Sequence, residues 1–96
     1  MGTFSAPPPK KSPTDRDAIR GQILGLRNDM AELSKKKPDD PVNKFKLNLI
    51  NNVIKDANSY LGGDNLPLAG FTIFDEDALP TNSDVMMVLS QYLRAL

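Results

Sequence analysis

"KKKPDDPVN", residues 35–43, decides the fold. It lies between two long stretches of helical periodicity and is too short to do anything but turn the chain back. Lys35, Lys36 and Lys37 close the first stretch, where cations suit the carboxyl end of a helix. Pro38 stops that helix, because proline has no backbone N–H and its ring clashes with the preceding turn. Asp40 offers an N-cap and Pro41 a first helical position for the second stretch. Helices joined this closely are expected to pack as an antiparallel hairpin.

Back from Pro38, apolar residues fall at Ile19, Ile23, Leu26, Met30 and Leu33. Their steps alternate four and three, which is a seam along one helix face, and Leu24 widens it. Thr14, with Asp17 three residues on, reads as the cap, so the helix is expected over about 15–37. Gly21 and Gly25 sit inside it, and each costs roughly 1 kcal/mol relative to alanine. Either a close helix contact offsets that cost or the glycines are simply exposed. Ahead of the helix, "MGTFSAPPPKKSP" (1–13) has little apolar surface and a run of three prolines. It reads as a disordered Pro/Lys tail.

Forward from Pro41, one apolar row runs Val42, Phe45, Leu49, Val53, Ala57 and Tyr60, with Ile50, Ile54 and Leu61 beside it. This helix is expected over about 41–61, ended by Gly62-Gly63. Asn48, Asn51, Asn52 and Asn58 make its polar side amide-rich. They read as a solvated face, with hydrogen bonding across an interface as the alternative. A third helix is expected over 82–96, capped by Thr81 with Asp84 at its third position. Val85, Met86, Val88, Leu89, Tyr92, Leu93 and Leu96 leave it a thin polar side, and the pattern is still running at Leu96. That leaves open a helix that continues in a longer chain. The fold class is all-α: a helical hairpin with a third helix packed against it, a three-helix bundle in one domain over 14–96.

The connection over 62–81 is too apolar for an ordinary surface loop. Phe71, Ile73, Phe74 and Leu79 surround the acidic run Asp75, Glu76 and Asp77. These side chains either close the hairpin or enter a partner's groove while the acids meet a basic rim. With Met86 and Met87, whose flexible thioethers suit an adaptable surface, they form the expected partner-binding set.

Composition excludes much chemistry. The 96 residues contain no cysteine and no histidine. That rules out disulfides, thiolate nucleophiles and cysteine-ligated zinc, and it removes the commonest general base. The acidic run lacks the alternating ligands, central glycine and distal glutamate of a calcium loop. Gly25-Leu26-Arg27 lacks the strand and the Lys-Ser/Thr pair of a phosphate loop. No motif implies a cofactor. No apolar run approaches the roughly 20 residues of a membrane span, and no secretory h-region opens the chain. A soluble protein of a reducing, cytoplasmic compartment is expected. Net charge is zero, yet residues 1–37 carry +4 and residues 64–96 carry −4. The expected function is a non-enzymatic protein–protein interaction module, of adaptor, regulatory or assembly type, with a homodimer among its forms. The alternative is nucleic-acid association through the basic N-terminal half.

Overall fold

The computed structural model describes residues 13–96, with side chains from Asp15 onward. The expected tail lies, up to Ser12, outside the described residues. Three α-helices follow: α1 (Pro13–Lys36), α2 (Lys44–Leu61) and α3 (Asn82–Ala95), with one 3-10 turn at Gly63–Asn65. Among the described residues there is no strand, only an isolated antiparallel bridge between Pro41 and Thr81. The three-helix bundle is therefore the architecture. α1 packs against both other helices, and more extensively against α3 than against its hairpin partner α2.

Two boundaries differ from the sequence reading. α1 starts at Pro13, which places Thr14 inside its first turn instead of at the cap. α2 starts at Lys44, and its cap is Asn43, whose side-chain oxygen accepts the Lys46 N–H at 2.8 Å. Asp40 and Pro41 do not begin the helix because their backbone pairs elsewhere. The Asp40 carbonyl accepts from Asn82 N at 2.9 Å, and Val42 N donates to the Pro80 carbonyl at 2.9 Å. Ser83 N donates to the Pro38 carbonyl and the Asn82 amide to the Lys37 carbonyl, at 3.1 and 2.8 Å. The interhelical turn is thereby zipped to the start of α3, and carbonyls left over at the end of α1 gain donors. Thr81 caps α3 as expected. Its hydroxyl accepts from Asp84 N at 3.2 Å, and the Asp84 carboxylate accepts from Thr81 N at 3.4 Å. Gly62 ends α2 at φ +84°, a conformation that favours glycine, and its N–H bonds the Asn58 carbonyl at 2.9 Å.

The core is built from Ile23 and Met30 of α1, Leu47, Ile50, Ile54 and Ala57 of α2, and Val85, Leu89 and Tyr92 of α3, closed by Val42 and Leu96. α2 is rotated so that the row through Leu47, Ile50, Ile54 and Ala57 faces inward. Phe45 and Leu49, read as core positions, point into solvent, and Leu24 of α1 is also exposed. The cause is polar. Asn51 is as buried as its apolar neighbours, and turning it inward carries Phe45 and Leu49 outward.

Gly21 and Gly25 are exposed, and a Cβ built on either meets nothing within 4 Å. No close contact inside the bundle offsets their cost. Gly21→Ala and Gly25→Ala are each expected to raise stability by about 0.5–1 kcal/mol, since alanine loses less backbone freedom on folding. Thermal unfolding followed by circular dichroism checks this: each change should raise the midpoint by a few degrees.

Candidate interaction surface

Segment 71–76 is bound from below by asparagines of α2. Asn51 Nδ2 donates to the Phe74 carbonyl at 2.9 Å, and Asn51 Oδ1 accepts the Phe74 N–H at 3.0 Å. Its amide thus replaces the neighbouring strand that this extended segment lacks. Asn58 Nδ2 donates to the Thr72 carbonyl at 2.7 Å, while Asn48 and Asn51 reach Glu76 Oε2 at 3.5 and 3.4 Å. These three asparagines are spaced three and seven residues apart, so they share one face of α2. Their solvated reading is corrected: the amides serve the chain's own loop, and only Asn52 of the four lacks such a role. The spacing was the available signal.

Phe71, Ile73 and Phe74 are partly buried and pack against the core. The Phe71 ring meets Phe74 edge-on at 5.0 Å and Tyr92 at 6.4 Å, geometries that suit the quadrupoles of aromatic rings. Met86 is also packed there, and its carbonyl accepts from Ser90 Oγ, which in turn accepts from Arg27 Nε at 2.9 Å. Asp75 and Asp77 lie in solvent, with Asp77 within 3.7 Å of Lys44 Nζ, and Glu76 is half-buried by the asparagine amides. Leu79 and Met87 are exposed. The expected partner set is therefore divided. Phe71, Ile73, Phe74 and Met86 pack against the interior, Glu76 is half-buried, and Asp75, Asp77, Leu79 and Met87 face outward.

Tyr92 links the two regions. Its hydroxyl donates to Asn58 Oδ1. Burial pushes the phenol above its ordinary value of 10.0, while the Asn58 bond pulls the other way. A folded-state value above the unfolded one means stability is complete below about pH 10 and is lost as pH rises through the folded-state value. Urea unfolding from pH 8 to 11 should show this decline, and Tyr92→Phe should flatten it.

The apolar residues turned out of the core define a different surface. On the open side of the α1–α2 seam, Ile19, Leu26 and Leu33 of α1 repeat every seven residues. Tyr60 and Leu49 line the same side from α2, above the buried Ile50, with Phe45 one turn before Leu49. Phe45 is 73% exposed and Leu49 46%, against 0–2% for the core positions Leu47 and Ile50. One end of this face holds Asp15 and Asp56, and the other holds Lys36, Lys37 and Lys46 beside Asp40. Asp29 and Glu32 flank its middle. No group of three or more Asp or Glu among the described residues could hold a metal ion, and no described helix is long and apolar enough to cross a membrane. No protein-family model matches the chain, and neither a curated protein nor a solved structure matches it.

Proposed function

We propose that this chain is a non-enzymatic protein–protein interaction module working in a reducing intracellular compartment. The observation that carries the reading is the exposure of Phe45 and Leu49 beside a core that closes without them. Large apolar side chains grouped in solvent cost solubility and are a mark of association surfaces. The apolar-acidic loop contributes through its outward residues, Leu79, Asp75 and Asp77, with Met87 of α3.

A retention experiment tests this. Immobilised wild-type chain and a Phe45→Ser, Leu49→Ser variant are exposed to native lysate and, separately, to the purified chain. Neither substitution removes a core contact, so the variant should keep its melting temperature. Protein retained by the wild type is expected to fall about tenfold on the variant, as loss of apolar anchors typically requires. Equal retention by both, at equal fold stability, would sink the reading. Nucleic-acid association is the second reading, favoured by Lys36, Lys37 and Lys46 lining one depression. Nearby lysines already pair with acids: Lys35 with Glu32, Lys37 with Asp40 and Lys44 with Asp77. These acids weaken the local positive field. The signature of that reading is binding that weakens steeply as salt rises.

A further inference from the structure

The geometry points to a second copy of this chain as the occupant of the α1–α2 face. The charges along that face are graded: Asp15 and Asp56 at one end, Lys36, Lys37 and Lys46 at the other. A two-fold axis lying in the interface and perpendicular to the helices would reverse their direction. It would set α1 against α1 and α2 against α2 of the second copy, each pair antiparallel. The acidic end of each copy then meets the basic end of the other, and every contact is made twice. In this register Lys46 comes within about one helical turn, ~5.4 Å, of Asp56 of the second copy. Lys36 is likewise carried toward the acidic half of the second copy's face. Asp29 lies near the axis, where like charge from the two copies opposes the contact, and Glu32 lies farther out beside Lys46. A two-fold axis parallel to the helices would oppose acid to acid and base to base, so the charge grading also selects the orientation.

The area is sufficient. α1 from Asp15 to Lys36 presents about 33 Å of length at 1.5 Å per residue. Two helices about 10 Å apart give a face roughly 20 Å wide. Each copy would cover on the order of 600 Å², so the total reaches the lower end of the roughly 1,200–2,000 Å² found for specific interfaces. Leu49 would be covered in a four-helix arrangement built from two hairpins, with Phe45 one turn nearer its basic end. Self-pairing presupposes the interaction-module reading and specifies its partner.

Charge reversal in the full chain, followed by sedimentation equilibrium, tests it. Wild-type chain is expected to pass from monomer to dimer as concentration rises. Lys46→Asp faces Asp56 of the second copy and should weaken the dimer about tenfold or more, as like-charge contacts at interfaces do. Asp56→Lys alone should weaken it as well. The chain carrying both changes restores the complementarity and should recover to within about threefold of wild type, the residue of imperfect additivity. Circular dichroism must show unchanged helicity throughout. A wild type that stays monomeric up to about 1 mM, where association would be worth less than ~4 kcal/mol, overturns self-pairing. If that monomer still retains a different protein through Phe45 and Leu49, the module reading stands and only its partner is wrong. If it retains nothing, both fall. A dimer indifferent to either single charge reversal would place the contact elsewhere and also overturn the inference.

Discussion

Asn51→Ala is expected to cost about 2–3 kcal/mol of folding free energy, because it strips partners from two part-buried backbone groups at once. Asn51 is 1% exposed, and its amide holds both the N–H and the carbonyl of Phe74, at 3.0 and 2.9 Å. An unpaired buried donor or acceptor costs roughly 1–3 kcal/mol, more than a typical hydrogen bond contributes when made. Asn51→Asp separates hydrogen bonding from volume, since the two side chains have nearly the same shape. The introduced carboxylate cannot donate to the Phe74 carbonyl, and it lies near Glu76, which now accepts from Asn51 at 3.4 Å. It should destabilise at neutral pH and recover in part on acidification, when the protonated acid donates again. Denaturant unfolding measures the first effect, and amide exchange at Phe74 shows whether the loop detaches before the bundle opens. Wild-type stability for both variants would mean that the loop is held by its aromatic contacts alone.

Phe74→Ala and Leu79→Ala are expected to behave in opposite ways, although the residues lie only five apart. Phe74 is packed against the core and meets Phe71 edge-on, so its loss should cost about 2–4 kcal/mol, somewhat below a fully buried phenylalanine. Leu79 is 40% exposed and should cost less than about 0.5 kcal/mol, as surface changes usually do. Urea unfolding of the two single variants is the measurement. A double variant would merge a packing defect with a surface change and could not assign either. Equal, small costs at both positions would return Phe74 to the surface and restore it as a docking side chain.

The helices were legible because their signals are local. Periodicity placed α1, α2 and α3 to within a few residues, and the Thr81–Asp84 box and Gly62 marked two ends where the structure has them. Errors arose where a local signal competed with a distant one. Asp40 and Pro41 are good helix starters, yet their backbone pairs with residues 80–82, which no nearby sequence announces. The division of the partner set was unreadable for a similar reason. Exposure of Leu79 and burial of Phe74 depend on which face of α2 the loop meets.

The sequence alone determined that three amphipathic helices would form, that a short proline-bounded turn would fold two of them back, and that cysteine and histidine chemistry is absent. These follow from composition and from contacts a few residues apart. Only the tertiary structure decided the rotation of α2. Two apolar rows on that helix could each have served as its buried face, and hydrophobicity hardly separates them. Bonds between Asn51, Asn58 and a segment some 14 to 23 residues away select one row. The other row, through Phe45 and Leu49, is thereby left in solvent on a face whose two ends carry opposite charge.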